Sequence, residues 1–410
     1  MILKGCLYRM KIKLTYRNKA SLFSGICLLF FVDFVTIEYI SSPTYTLIQY
    51  ILLIPILLYC FKNIKGIDKK YYFSGIVLLG IGGCIIYSSI YNGVEKFYIR
   101  AALFFACCIV LMWCILVIGQ HKKKVFEFVS AGKRYLCLIL FINDILMILF
   151  PSKFNNISGR EIGTCLLGNK FVVAYWHLML LFFLIISEHE QKKMNKKAIV
   201  YIIFYSGICI YLDCSTALLA GWMLLVLIFI PPKIKNILSS TLAYYISFFA
   251  SAFLLIFFQG ILLWKPIQYL IVNVLHRDSS LTGRVEVYAY IFKLFSTNKW
   301  WGYGYGTDIV QKTSMWYSNV QNGFWDFVIR YGLITMFFLM IYMFIAVNRC
   351  TKILVDKGDN KVVWLCYVML YVYLFMGISE IVYGKLFLFY ITLLEVMCFE
   401  HLERKKEQSI

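Results

Sequence analysis

The most constraining feature of the sequence is a succession of apolar runs, each close to the length that an α-helix needs to cross a bilayer. A spanning helix requires about 20 mainly apolar residues. About twelve such runs lie near residues 20–38, 44–61, 71–90, 98–119, 135–150, 170–187, 196–213, 215–231, 240–263, 324–347, 362–379 and 383–400. Hydrophobic residues make up 61% of the chain and charged residues 15%, which is too apolar for a soluble core. We therefore predict an all-α, polytopic membrane protein with about 12 transmembrane helices in a single domain, residues 1–410.

The net charge of +20 has two explanations, nucleic-acid binding or membrane topology, and the positions of the basic residues decide between them. Lys and Arg form short clusters between apolar runs, such as "KNIKGIDKK" and "HKKKVFEF". Alternate connections hold about 28 of the 41 Lys and Arg. This alternation predicts a multi-pass protein of the cytoplasmic membrane with both termini cytoplasmic, and it predicts no nucleic-acid partner.

Two connections on the predicted outer side are long, whereas every inner connection is short. One runs from about residue 151 to 169, and the other, residues 265–323, is a long extracytoplasmic loop between spans nine and ten. The second contains "RVEVYAYIFKLF" (284–295), which is too short to span and is typical of an amphipathic helix at the interface. Any catalytic function is therefore expected on the outer face.

Cysteine and metal chemistry contribute little to the expected function. The 14 Cys lie mostly inside apolar runs, where Cys acts as a small hydrophobic residue. Neither a CxxC pair nor a metal-ligand spacing is present. We expect no disulfide, metal site or cofactor.

The segment "NKWWGYGYGTD" (298–308) has the spacing Gly302-x-Gly304-x-Gly306, which suggests a nucleotide-binding loop. Such a loop needs a buried strand before it and a helix after it. An external loop after an interfacial helix does not provide this context. The glycines instead predict a tight turn, with its Trp and Tyr residues as interfacial anchors, as a stacking surface for sugars, or as both.

Several ionisable groups lie near or within the predicted spans, where they are costly and are functional candidates. Arg330 falls early in a span, about two turns below the outer surface. Its planar fork suits phosphate oxygens, although an arginine in this position can also serve only to lock helices together. His177, Asn143 and Asp144 predict a buried polar bridge between helices, with a proton relay as the alternative.

Four segments together resemble the O-antigen and capsule polymerase (Wzy-type) and O-antigen ligase family. They are "SSLTGRVEVYAYIFKLFSTNKWWGYGYGTD" (279–308), "QNGFWDFVIRYGLI" (321–334), "GREIGTCLLGNKFVVAYW" (159–176) and "CSTALLAG" (214–221). The chain departs from the family pattern at two positions: Gln321 replaces a frequent His, and Thr216 replaces an Arg. The Gln favours a polymerase over a ligase and leaves the general base unassigned, since an amide cannot take a proton near neutral pH.

The resemblance implies a metal-independent glycosyltransferase that polymerises polyprenyl-diphosphate-linked oligosaccharides on the outer face. Its partners would be that lipid, the membrane, a flippase and a chain-length regulator. A ligase-like glycosyltransferase is the first alternative, and a lipid-linked oligosaccharide flippase or other secondary transporter is the second.

The residues expected to form the active site are substrate-binding residues and candidates for the general base. Arg160, Arg284 and Arg330 should stabilise the diphosphate. The remaining substrate-binding candidates are Gln321, Asn322, Asn169, Trp301 and Tyr303. The candidates for the general base are, in order, Glu286, His276 and Asp278.

Overall fold

The computed structural model describes residues 23, 25, 27, 42–151, 164–190, 196–257, 264–269, 272, 273, 284–314, 319–355 and 360–408. The described part is all-α and 85% helical, with one two-stranded antiparallel hairpin. Helices dominate because a helix satisfies every backbone group within its own segment, which lipid requires. The predicted all-α class is therefore confirmed.

The helices follow one another in the order that the apolar runs predict. They are α1 (Ser42–Asn63), α2 (Tyr72–Tyr91), α3 (Lys96–His121), α4 (Val125–Leu149), α5 (Lys170–Glu190), α6 (Lys196–Tyr211), α7 (Ser215–Ile228), α8 (Pro232–Leu238), α9 (Thr241–Phe257), α10 (Lys265–Tyr269), α11 (Arg284–Thr297), α12 (Ile309–Ser314), α13 (Gly323–Val355), α14 (Lys361–Gly377) and α15 (Lys385–Gln408). Short 3₁₀ turns occupy Ile64–Gly66 and Lys69–Tyr71. The hairpin pairs β1 (Thr164–Cys165) with β2 (Gly168–Asn169), with Thr164 opposite Asn169.

Five helices among the described residues are long and apolar enough to cross a membrane. They are Leu47–Gly66, Lys69–Tyr91, Lys96–His121, Lys170–His189 and Gly323–Val355. A sixth crossing results if α7 and α8, which meet at a bend of 114°, form one span. The other predicted spans coincide with shorter or more charged helices, except the first, near residues 20–38, of which only three residues are described. These helices are consistent with a membrane protein, and the count of about 12 stays a prediction.

The chain divides into two compact units. Of the described residues, the first unit contains those up to Ile67 and those within Cys114–Gly221, and the second contains Asp68–Trp113 and those from Trp222 onward. Within the first unit, α5 packs against α4 and α6. Within the second unit, α13 is central and packs against α2, α9, α14 and α15.

The bend between α7 and α8 follows from Pro231 and Pro232, because proline removes a backbone donor and clashes with the preceding turn. Side chains of α14 bind one carbonyl in the last turn of each of these two helices. The Trp364 indole donates to the Leu227 carbonyl (3.3 Å), and the Tyr371 hydroxyl donates to the Leu238 carbonyl (2.7 Å). These bonds give partners to carbonyls in the last turns of α7 and α8, which a helix leaves without intrahelical partners.

Candidate functional site

Helix α13 is broken at Gly332. This residue has φ 79° and ψ 172°, a conformation that glycine adopts readily and other residues rarely do. In a continuous helix the amide of residue 333 would donate to the carbonyl of Ile329, and the amide of Ile334 to that of Arg330. The break prevents this pairing in the middle of an apolar helix.

The aromatic-glycine loop, residues 298–308, supplies partners for all four of these groups. The bonds run from Tyr303 N to Ile329 O (2.9 Å), from Gly304 N to Arg330 O (2.8 Å), from Leu333 N to Lys299 O (2.9 Å) and from Ile334 N to Trp300 O (3.3 Å). Two helical hydrogen bonds are thus replaced by four bonds to the loop. Because the loop supplies these hydrogen bonds, the helix can be broken here without leaving backbone groups unpaired.

The three glycines of this loop are required for its close approach. Gly302, Gly304 and Gly306 have φ values of 67°, 89° and 70°. A Cβ atom on Gly302 would lie 2.6 Å from the Arg330 carbonyl oxygen, and one on Gly304 would lie 2.9 Å from Cγ1 of Val94. The prediction of a tight turn with close backbone contact is confirmed, and the contacted backbone is that of α13.

The end of α2 clamps the loop from another direction. The Ser88 hydroxyl donates to the carbonyls of Trp301 and Arg330, the latter at 3.2 Å. The side-chain amide of Asn92 donates to the Gly302 carbonyl (2.8 Å). The Tyr305 amide donates to the hydroxyl of Ser89 (3.0 Å). The loop is therefore fixed between α2 and α13.

The aromatic residues of the loop have different surroundings. Trp300 is 54% exposed, and its role as an interfacial anchor stays a prediction. The Trp301 ring packs against Tyr87, with ring centroids 4.4 Å apart. The Tyr303 hydroxyl donates to the Leu294 carbonyl of α11 (3.0 Å). The contacts of Trp301 and Tyr303 position the loop, and their predicted role in substrate binding stays a prediction.

Arg330 lies two residues before the break and forms an ion pair with Asp326. Its Nε lies 2.7 Å from Asp326 Oδ2, with side-chain exposures of 23% and 4% respectively. Among the described residues, Asp326 is the only hydrogen-bond or ion-pair partner of the guanidinium. The second carboxylate oxygen, Oδ1, is buried and has no partner. The pair therefore keeps unused donors and one unused acceptor.

A row of aromatic rings lies between two electrostatic neighbours of Arg330, Tyr331 and Tyr305, and a second cation, Lys385. The Tyr331 and Tyr305 rings are stacked with centroids 6.3 Å apart, and the Phe105 ring follows at 5.9 Å from Tyr305. Nζ of Lys385, the first residue of α15, lies 6.0 Å from the Phe105 ring centroid. Aromatic surfaces with a few fixed polar groups are typical of ligand sites.

Three of the predicted substrate-binding residues have structural contacts. Asn322 is fully buried; its amide donates to the carbonyls of Ser251 (3.1 Å) and Ile378 (3.2 Å), and its side-chain oxygen caps α13 by accepting from Trp325 N. Asn169 caps α5. The partly exposed Gln321 binds the side chain of Asn319 (2.7 Å).

The three predicted catalytic residues and two of the predicted substrate-binding arginines have no described side chain. His276, Asp278 and Arg160 lie outside the described residues. Arg284 and Glu286 belong to the first turn of α11, but only their backbone is described. Their roles therefore stay predictions.

Sequence reasoning missed Asp326, Tyr305 and Lys385 as members of the site. The spacing of Asp326 and Arg330 at i and i+4 could have identified the first, because residues four apart share one helix face. Neither Tyr305 nor Lys385 carries such a signal, since their contacts join distant parts of the sequence. Ser88 was missed for the same reason.

The first unit contains a separate polar cluster, which the sequence predicted as a bridge between helices. The Asp144 carboxylate on α4 contacts Nε2 of His177 on α5 (3.2 Å), and Nδ1 of His177 contacts the Tyr201 hydroxyl on α6 (2.7 Å). The Asn143 side-chain oxygen accepts from the Leu167 amide in the hairpin (3.2 Å). The predicted bridge is confirmed, and a proton relay stays an untested alternative.

Comparisons with known proteins do not assign the chain to a family. A scan against protein-family models and a search of the curated proteins gave no match. No group of three or more His, Cys, Asp and Glu within the described ranges is placed to hold a metal ion. The site is therefore characterised by its own geometry: a broken helix, the loop that bridges it, and an arginine with unused donors.

Proposed function

We propose that the protein is a membrane glycosyltransferase that polymerises polyprenyl-diphosphate-linked oligosaccharides into an O-antigen, capsular or exopolysaccharide. The chain would cross the cytoplasmic membrane about 12 times, with both termini cytoplasmic and the aromatic-glycine loop on the outer face. The support is the motif resemblance and the basic clusters, together with the site at Gly332.

The observation that carries the proposal is the presentation of Arg330 at a broken, loop-braced position in an apolar helix. An arginine in such a helix is costly, and function is its default explanation. Its side chain has one partner among the described residues and is 23% exposed. Its backbone carbonyl is fixed by Gly304 and Ser88. A positioned arginine of this kind suits an oxygen-rich ligand.

The proposed reaction needs only the lipid-linked donor and an acceptor hydroxyl. An acceptor hydroxyl attacks the anomeric carbon of the donor sugar, forming a glycosidic bond and breaking the bond to the diphosphate. The bonding electrons leave with the lipid diphosphate, whose developing charge Arg160 and Arg284 would stabilise. The hydroxyl proton passes to a base, for which Glu286, His276 and Asp278 are the candidates. No oxidant, reductant or nucleotide is consumed.

The test uses purified full-length protein in proteoliposomes, with native lipid-linked repeat units supplied on the outer face alone. Growth of a polymer supports the proposal. Transfer to a different acceptor would identify a ligase instead. Arg160→Ala and Arg284→Ala should each abolish polymer while the protein remains in the membrane, and polymer of normal length with either change would remove the diphosphate role. Full activity of Glu286→Gln would move the base to another group.

One observation favours a second candidate, a lipid-linked oligosaccharide flippase or other secondary transporter. Transporters often bind substrate at helices interrupted within the membrane, and α13 is interrupted at Gly332. A labelled lipid-linked substrate that moves between leaflets without forming a new glycosidic bond would support this candidate against the polymerase.

A further inference from the structure

We infer that the Arg330–Asp326 pair recognises hydroxyl groups of the glycan, while the diphosphate of the same lipid is held elsewhere. The inference rests on the proposed function. It assigns the glycan part of the ligand to this pair. From its charge alone, Arg330 was expected to bind the diphosphate.

The charge of the pair argues against a phosphate site. Asp326 Oδ2 lies 2.7 Å from Arg330 Nε, so the positive charge is already balanced. A diphosphate placed on the guanidinium would also approach a carboxylate that is 3% exposed and poorly screened by water. A neutral ligand avoids this repulsion, since it requires no further positive charge.

The unused hydrogen-bonding capacity points to the same ligand chemistry. The guanidinium retains N–H donors that need acceptors, whereas Asp326 Oδ1 is an acceptor without a donor. A hydroxyl both donates and accepts, so two neighbouring hydroxyls can satisfy the arginine and the carboxylate together. An ionised phosphate offers only acceptors and would leave Oδ1 unpaired. Because Oδ1 is enclosed, a hydroxyl reaches it only as the side chains over it move.

The aromatic surroundings complete a surface suited to a sugar. Tyr331 and Tyr305 have stacked rings and both lie close enough to interact electrostatically with Arg330, and Tyr305 is partly exposed. A pyranose has an apolar face of C–H groups and an edge of hydroxyls. It can therefore cover an aromatic ring while its edge hydroxyls bind the Arg–Asp pair.

A matched control exists at the other end of α13. Arg349 also pairs with a buried carboxylate at 2.7 Å, that of Glu395, and its side chain is 26% exposed. Its guanidinium, however, is stacked on Phe399, with Cζ 3.9 Å from the ring centroid. Arg349→Lys therefore changes the same chemical group at a site for which no ligand is proposed.

The experiment measures the binding of two lipids to the full chain in nanodiscs: undecaprenyl diphosphate without sugar, and native lipid-linked repeat units. Wild type should bind the glycan-bearing lipid more tightly. Arg330→Lys and Asp326→Asn should each remove about tenfold or more of that preference, as expected for hydrogen bonds to charged groups. Both should leave the affinity for the bare diphosphate nearly unchanged, and Arg349→Lys should leave the preference intact.

The outcomes separate the inference from the proposed function. If the variants lose affinity for both lipids equally, the pair is a phosphate clamp and the inference is overturned. If they retain the full glycan preference, the inference also fails, although the proposed function stands. If wild type binds neither lipid, the proposed function itself fails. Should Arg330→Lys not fold, Asp326→Asn, which preserves the shape of the side chain, decides alone.

Discussion

Helix α13 carries two arginine–carboxylate pairs with the same contact distance and nearly the same burial. Arg330 lies 2.7 Å from Asp326, and Arg349 lies 2.7 Å from Glu395, with arginine exposures of 23% and 26%. The first pair joins residues four apart on one helix, whereas the second joins α13 to α15 across 46 residues. The same type of ion pair thus occurs once within a helix and once between two helices.

The second pair belongs to a network that holds helices together. Arg349 is stacked on Phe399, and Nζ of Lys70 lies 4.6 Å from the centroid of the same ring. Lys70 also pairs with Asp68 (3.0 Å) and with Glu403 of α15 (2.6 Å). Cation–π contacts and ion pairs therefore restrain both cations.

The comparison separates a structural arginine from a functional candidate. Around Arg349, side chains carry the contacts and the helix is regular. Around Arg330, backbone bonds to the loop carry the contacts, and the guanidinium pairs with a single carboxylate among the described residues, that of Asp326. Stability should therefore depend on side chains at the Arg349 end and on backbone geometry at the Arg330 end.

The largest effect is expected for Gly332→Ala. A Cβ atom there would collide with the Trp300 carbonyl, and the positive φ adds strain of about 1–3 kcal/mol. With loss of the loop hydrogen bonds, the free energy of unfolding should fall by about 3 kcal/mol or more. Chemical denaturation in detergent would measure this change.

The control for that change is Gly83→Ala. Gly83 lies in α2 and has nothing within 4 Å of the added Cβ. Alanine also has the higher helix propensity, so the change should be neutral or slightly stabilising. Equal destabilisation by both substitutions would contradict the role assigned to the break.

A smaller effect is expected for Glu395→Gln, which breaks the structural pair. It leaves the Arg349 charge without its buried partner, and the cost should be about 2–3 kcal/mol because that arginine is partly exposed. Asp326→Asn should destabilise less, by about 1 kcal/mol, since its pair lies within one helix. Thermal unfolding of the two variants in one lipid mixture measures the difference, and the reverse order would contradict the comparison.

An effect smaller than that of Glu395→Gln is also expected for Ser88→Ala. The change removes one hydroxyl that serves the carbonyls of Trp301 and Arg330, at a cost of about 1–2 kcal/mol. Ser296→Ala is its control, because that exposed hydroxyl donates to the Lys293 carbonyl of its own helix. Its effect should stay within about 0.5 kcal/mol. Similar unfolding midpoints for the two variants would show that the clamp from α2 is dispensable.

The sequence predicted the helices better than their ends. Apolar runs place the helices because lipid exposure demands both apolar side chains and internal backbone pairing. They do not mark where a helix stops: α4 begins at Val125, ten residues before the apolar run, and includes Lys133 and Arg134. Charged residues can continue a helix beyond its apolar run, so hydropathy alone underestimates helix length.

The sequence predicted those parts of the candidate site that are formed by residues close together in the chain. The position of Arg330 and the tight glycine turn follow from residue type and spacing. The insertion of the loop into α13 does not, because its hydrogen-bond partners lie about 30 residues apart and are backbone groups without a sequence signature. The contribution of Ser88 comes from more than 200 residues away.

The most direct test of the central claim compares Arg330→Lys with Arg349→Lys in the same proteoliposomes. Polymer formed from lipid-linked repeat units and the unfolding temperature would both be measured. We predict that Arg330→Lys loses most polymer formation with little change in unfolding temperature, whereas Arg349→Lys lowers the unfolding temperature and keeps its activity per folded molecule. A proportional loss of stability and polymer in both variants would contradict the claim that the two arginines have different roles.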